Sequence, residues 1–219
     1  QTMMLEFEPV KAVDGAEVNI KGSITGDLVT AKAQTRAMFA LRNAAESNLT
    51  VINYDVDGEF NGNYIGDADS MLNLTATKGN AWNGNILADS RANVTLAGGN
   101  WTGAHYGSEL NLNISKGSIW TNTNEGETII NELNGAASKS QGNVGTIRMY
   151  ETDAEGNSTG FGNIVVENYN GSVIFDYALN GEVTQPIEEG AEVGETIISA
   201  IGGTVTINNA AHGSEVVLN

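Results

Sequence analysis

Ser70-Met-Leu-Asn-Leu…Trp82-Asn-Gly84 is followed by Ser90-Arg-Ala-Asn-Val-Thr-Leu…Trp101-Thr-Gly103 and by Ser108-Glu-Leu-Asn-Leu-Asn-Ile…Trp120-Thr-Asn122. Each copy is a Ser, an alternating apolar strand, a gap, then an aromatic with Gly or Asn two residues on. Ser47-Asn-Leu-Thr-Val…Phe60-Asn-Gly62 reads as an earlier copy, with Leu49 and Val51 as its apolar positions. The aromatics at 60, 82, 101 and 120 lie 22, 19 and 19 residues apart. A near-constant period of this size marks a solenoid, each repeat stacked on the last. Leu72 and Leu74 point one way and Asn73 and Thr75 the other; Leu110, Leu112 and Ile114 repeat this against Asn111 and Asn113. Period-2 alternation within about 19 residues leaves room for two or three short strands and their turns. That is the arithmetic of an all-β parallel β-helix (β-solenoid), not of a leucine-rich or helical repeat. Coils stacked at roughly 4.8 Å would set Trp82, Trp101 and Trp120 in an aromatic ladder.

Composition agrees. Of 219 residues 27 are Gly and only 2 Pro, which suits a chain that turns every few residues on Gly and Asn. Cys is absent, so neither a disulfide framework nor a Cys metal site is available. The net charge of −17, from 27 acidic and 10 basic residues, repels nucleic acid and anionic membrane surfaces. No apolar run approaches the ~20 residues of a membrane-spanning helix, and Gln1-Thr-Met-Met begins no recognisable signal peptide.

Outside the central copies, Leu5 and Phe7 alternate, as do Val18 and Ile20 against Asn19 and Lys21. Ile24-Thr25-Gly26 occupies the aromatic-x-Gly position, 36 residues before Phe60, a separation that suggests two coils. Ala31 to Glu46 reads as a strand leading into a turn, with a short flanking helix as the alternative. Ile130-Asn-Glu-Leu-Asn-Gly135 returns 36 residues on as Val166-Glu-Asn-Tyr-Asn-Gly171. Polar loops are expected near 136–143, 151–160 and 181–194, and final coils at Ile197-Ile198, Val205–Ile207 and Val216–Leu218, with no cap evident after them. One domain spanning 1–219 is expected, of about 11 coils and roughly 50 Å long. Its inward rows would hold Leu49, Val51, Leu72, Leu74, Val94, Leu96, Leu110, Leu112, Ile114, Val173 and Phe175.

Catalytic signatures are scarce. There is no Gly-x-Ser-x-Gly, His-Glu-x-x-His, P-loop or Gly-x-Gly-x-x-Gly. His105 and His212 are far apart in sequence and read as surface or turn residues. Asp55, Asp57 and Glu59 would share one face of an extended strand, with Asp67 and Asp69 nearby, and paired carboxylates can hydrolyse a glycosidic bond. The nearest basic residues in sequence are Arg42 and Lys78, so no lyase-type acid–base cluster is spelled out. Asp55-Val-Asp57-Gly58-Glu59 also has the look of a calcium loop, although the EF-hand spacing fails at Glu59. Calcium is therefore the one candidate cofactor, at Asp55, Asp57 and Glu59; an acidic turn is the simpler reading. Asn-x-Ser/Thr occurs at Asn48, Asn73, Asn93, Asn100, Asn113, Asn157 and Asn170. Most of these coincide with outward positions of alternating strands, where stacked polar side chains can bond along the face.

Ala92-Asn-Val-Thr-Leu…Asn100-Trp-Thr-Gly103, Ser118-Ile-Trp-Thr121 and Ile130-Asn-Glu-Leu-Asn-Gly135 together resemble the passenger region of bacterial autotransporters of the pertactin-like β-helix group, most clearly over 70–178. The resemblance implies a right-handed parallel β-helix. It also implies export through the outer membrane to the bacterial cell surface by a C-terminal β-barrel that this sequence does not contain. A passenger fragment is expected to be non-enzymatic: an adhesin for host or partner cells, acting on a cell-surface protein or glycan, or a self-associating aggregation and biofilm factor. The alternatives are a passive stalk for a missing module and a polysaccharide-acting β-helix enzyme. The family's protease and esterase motifs are missing, and no family site residue carries over.

Overall fold

Alternating apolar residues with Gly and Asn at the corners give short strands and tight turns, and the chain folds accordingly. The computed structural model describes residues 10–13, 15–31, 49–67, 69–107, 109–137, 143–179, 181–186, 195–198 and 203–219. Among these there is no helix. The first strands are β1 (Val10–Val13), β2 (Glu17–Thr25), β3 (Leu28–Ala31), β4 (Thr50–Asn61), β5 (Tyr64–Ile65), β6 (Ser70–Thr77) and β7 (Ala81–Asn83). The middle ones are β8 (Arg91–Ala97), β9 (Asn100–Gly103), β10 (Glu109–Ser115), β11 (Ile119–Asn122), β12 (Glu127–Asn134) and β13 (Gly145–Arg148). The last are β14 (Tyr150–Thr152), β15 (Ser158–Gly160), β16 (Asn163–Asn170), β17 (Ser172–Asp176), β18 (Val183–Pro186), β19 (Glu195–Ile198), β20 (Thr204–Ala210) and β21 (Glu215–Leu218).

One large, mostly parallel sheet holds two ladders that meet in β4. The first runs β2-β4-β6-β8-β10-β12-β16-β20, and the second runs from the end of β4 through β7, β9, β11, β13 and β17 to β21. A smaller parallel sheet, β1-β3-β5, is continued by parallel bridges from Tyr64 to Ile86 and from Ile86 to His105. This architecture is compatible with a β-solenoid. Between β4 and β12, partners in the first ladder are separated by 20, 20, 18 and 21 residues, near the expected repeat. Elsewhere the separation is longer: Val18 pairs with Ile52, Ile130 with Val166, and Val166 with Ile207. Ile24 pairs directly with Phe60, so the 36-residue separations join neighbouring strands and not strands two turns apart. The first ladder accordingly has eight parallel strands among the described residues, fewer than the 11 coils expected.

The core is built of columns. Leu72, Leu74, Val94, Leu96, Leu110, Leu112, Ile114, Val173 and Phe175 are buried, as their alternation predicts. The first copy is different. Leu49 is 36% exposed and Val51 is half-buried, while Ile52, Tyr54 and Val56 face inward. Thr50, not Ser47, is the counterpart of Ser70, and this shift by three, an odd number, moves every side chain of the strand to its other face. The opposite phase would have buried Asn53 and Asp55, at far greater cost than exposing Leu49.

Along the second ladder Phe60, Trp82, Trp101 and Trp120 stack with centroids 5.5, 4.6 and 4.4 Å apart and ring planes within 9°. Each indole is fully buried, and its N–H donates to a glycine carbonyl of the preceding strand: Trp82 to Gly62 (2.9 Å), Trp101 to Gly84 (2.9 Å) and Trp120 to Gly103 (3.0 Å). A Cβ on Gly84 would lie 1.7 Å from the Gly62 oxygen, and one on Gly103 1.7 Å from the Gly84 oxygen. The aromatic-x-Gly phrase is therefore one device: the missing side chain lets the next carbonyl approach, and that carbonyl satisfies the buried indole. Asn122 takes the place of glycine after Trp120, and its buried amide donates to Thr128. Beyond it the column continues as Ile147, Phe175 and Leu218.

The polar segments expected as loops are partly structured. Residues 151–160 belong to an antiparallel hairpin of β14 and β15. β18, inside the segment expected as the loop 181–194, pairs antiparallel with β21, and β19 pairs antiparallel with β20. Ile197-Ile198 thus belongs to a covering strand and not to another coil, and the edges of β20 and β21 are paired where no cap was evident in the sequence. Pairing there removes an open row of N–H and C=O groups. Residues 1–9, the 32–48 segment and 138–142 lie outside the described residues, as do 187–194, so the expectations placed on them are not taken up.

Gly84→Ala is expected to lower unfolding stability by more than about 3 kcal/mol, or to prevent folding, because the clash is with backbone. Gly79 has φ +88° and open space around a Cβ, so Gly79→Asn should lose no more than about 1 kcal/mol. Urea denaturation of both variants measures the contrast.

Candidate functional site

The outward row of the first ladder begins with short polar side chains alternating with the apolar core. Asn19, Asn53, Asn73, Asn93, Asn111 and Asn131 fall one above another, and each carboxamide bonds to the one before it. Nδ2 of Asn53 donates to Oδ1 of Asn19 (2.9 Å), and Asn73 to Asn53, Asn93 to Asn73 and Asn111 to Asn93 follow at 2.8 Å; Asn131 donates to Asn111 at 3.0 Å. All five bonds run the same way along the stack, so the amide dipoles add and polarise one another. In β12 both Asn131 and Glu132 point outward, and the row passes to Glu167, which accepts from Asn208 at 2.9 Å.

Three concavities lie along this ladder. The first, of about 650 Å³, is lined by Asn19, Lys21, Asn53, Asp55, Asn73, Thr75 and Thr77, with Ile20 and Tyr54 behind them. The second, of about 290 Å³, lies between Met71, Arg91, Asn93, Glu109, Asn111 and Asn131. The third is at the far end, among Glu132, Asn134, Asn168, Asn170 and Asn209. Arg91 and Glu109 are direct register partners, with Nε and Oε2 2.6 Å apart and both side chains partly exposed. The sequence carries the signal for this pair, since each residue follows the Ser that opens its copy, Ser90 and Ser108.

The carboxylates singled out from sequence do not converge. Asp55 lies on the ladder face, in register with Lys21 and Thr75. At Gly58 (φ +98°) β4 turns, and its pairing passes from β6 to β7. Asp57 is exposed at that turn; Glu59 lies beyond it and accepts from Asn83 Nδ2 at 2.9 Å. The shared strand face expected for Asp55, Asp57 and Glu59 is broken by this turn. Among the described residues no three Asp, Glu or His side chains gather as a metal group. Asp67 forms a local turn, its Oδ1 accepting from the Asp69 N–H. Lys21 is the basic neighbour that sequence distance concealed. Of the Asn-x-Ser/Thr positions, Asn73 and Asn93 are rungs of the ladder, and Asn100 Oδ1 accepts from the Ile119 N–H.

His212 is exposed, as expected, but His105 is not. It is fully buried in the column of Leu28, Tyr64 and Ile86, where the register demands an inward side chain. Neither ring nitrogen has a hydrogen-bond partner. Burial pushes its pKa from 6.5 down to about 4; backbone groups of Gly107 and Ile129 oppose the shift but lack the geometry of true hydrogen bonds.

No protein-family model, curated protein or solved structure matches the chain. The site's chemistry therefore stands on its own geometry: a long, fixed array of neutral donors and acceptors.

His105 generates a pH prediction. Above its unfolded pKa of 6.5 the ring is neutral in both states and its place in the core is unpenalised. As pH falls through 6.5 towards 4 the unfolded chain takes up the proton first, and stability drops by about 3 kcal/mol in total. The stability gap between His105→Leu and the unsubstituted chain, measured by denaturation at steps across this window, should widen by that amount in favour of the variant.

Proposed function

We propose that this chain is a non-enzymatic adhesive segment of a right-handed parallel β-helix, with about 19 residues in its basic coil, displayed on a bacterial surface as part of a longer exported protein. The observation that carries the proposal is the unbroken Asn row, which gives one face repeated, pre-ordered hydrogen-bonding groups. Such a face binds through many weak contacts, and display of many copies turns low affinity into firm attachment. Its partners are a host or partner-cell surface protein or glycan, or further copies of the same chain. Of the residues that motivate the alternative enzyme reading, Glu59 is set apart from Asp55 and Asp57 by the turn at Gly58, which favours adhesion over catalysis.

Bacteria displaying the segment should aggregate or attach to host cells more than cells without it. Where attachment is between copies, each carries −17, so aggregation should strengthen as salt rises and screens the repulsion. Excising the tip of the β14–β15 hairpin leaves the ladder intact and tests whether that projection makes the contact. Equal behaviour of displaying and non-displaying cells would leave only the passive stalk.

A further inference from the structure

The ladder face is neutral where the rest of the chain is acidic. Across β6, β8 and β10 its outward side chains are Asn, Thr, Ser, Ala and Met, with one cation and one anion, Arg91 and Glu109, paired to each other. A chain of net charge −17 therefore presents here a face with no net charge of its own, set in an acidic field. Its polar groups are held in place: the Asn73 and Asn111 amides each spend one N–H on the ladder and keep a second. Strands stack at about 4.8 Å, close to the length of one sugar ring in an extended β-1,4-linked chain, so a glycan lying along the stack, its successive rings flipped, would bring the same groups to the row at every second residue. The 290 Å³ recess beside the Arg91–Glu109 pair is wide enough for one pyranose ring with accompanying water, since a water occupies about 30 Å³. Its lining of guanidinium, carboxylate and carboxamide offers donors and acceptors in pairs, which vicinal hydroxyls require.

We propose that the trough over β6, β8 and β10 binds a neutral, extended β-1,4-linked glycan, with the recess between Arg91, Glu109 and Asn111 holding one sugar ring. This deepens the adhesive reading and rests on it. The acidic field of the surrounding chain disfavours uronate and sulfated chains. The face has Met71 where an aromatic platform would stack on the sugar, so a single site binds in the millimolar range. Adhesion would then come from display in many copies.

The test is side-chain amide NMR of the ¹⁵N-labelled chain titrated separately with cellotetraose, chitotetraose and tetragalacturonate. Saturable shifts confined to Asn73, Asn93 and Asn111 with either neutral tetrasaccharide, and none with the acidic one, are expected; which neutral chain responds shows whether acetamido groups are read. Glu109→Gln, a partly exposed substitution that should leave the melting temperature unchanged, is expected to weaken binding about fivefold or more. Thr95→Arg, which sets a bulky charge on the same outward face between Thr75 and Asn113, should abolish it. Absence of shifts with both neutral chains overturns the proposal, as do equal shifts with tetragalacturonate or affinities unmoved in both variants. Cells that still attach while the titrations fail would sink the glycan site and leave the adhesive reading standing; failure of attachment as well would sink both.

Discussion

In-register parallel stacking is the constraint on which everything else in this chain depends. Once Leu72 pairs above Ala92, and Ala92 above Leu110, every residue has a neighbour of the same row one strand away. A row that works once must therefore work repeatedly, and the same sequence choice is made in copy after copy. Indole planes within 4° of each other across the Trp82–Trp101–Trp120 stack are the inward consequence. Their N–H groups are buried and need acceptors, which only a carbonyl brought close by glycine supplies. The outward consequence is the Asn row, where a short carboxamide spans one strand spacing as both donor and acceptor. Other outward residues lack that reach or that dual chemistry: a Thr hydroxyl is too short, and a carboxylate cannot donate.

This constraint also explains what could be read from sequence. The central copies were legible because their strands were regular and a rare residue, Trp, marked the phase. The first copy misled because Ser47-Asn-Leu-Thr-Val resembles Ser70-Met-Leu-Asn-Leu in its opening Ser, whereas the register is set by burial further on, at Ile52, Tyr54 and Val56. The 36-residue separations misled for a different reason. A ladder fixes only which residues meet, and the chain between them can lengthen without altering the pairing; Ile24 to Phe60 and Ile130 to Val166 each carry such an extension. β18 was invisible as a strand, and β19, expected at Ile197-Ile198 as a further coil, proved an antiparallel cover, because antiparallel additions at a sheet end follow no repeat. His105 looked like a turn residue by type, yet its column decided its direction. Of the candidate site, the polar row was visible as alternating Asn and Thr, but the partners Lys21 and Asp55 and the turn at Gly58 depended on contacts that sequence distance hides.

The two ends of the large sheet differ in the same terms. β20 and β21, last of their ladders, are each overlaid by an antiparallel strand drawn from the segment between β17 and β20. A parallel continuation there would need another full turn of chain, whereas β19 reaches β20 by a short antiparallel return, Ile198 pairing with Thr204. The long insertion between β16 and β20 is thus used to close edges, which keeps two otherwise open templates from recruiting further strands.

Stacking governs charge as well, and here it links fold to surface. Two like charges in one row would face each other at about one strand spacing, a repulsion of roughly 1 kcal/mol even in water and several times that near protein. The chain has 27 acidic residues to place, and in the register pairs among the described strands no acid meets an acid and no base a base. Where charges do meet, the signs are opposite: Lys21 with Asp55, Arg91 with Glu109 and Arg148 with Asp176. Other acids sit outside the paired strands, at turns and the hairpin tip, as Asp89, Asp153 and Glu155 do. A ladder face of neutral amides on a strongly acidic protein follows from the same pairing that stacks the tryptophans. The neutral character of this face is thus fixed by the requirements of folding.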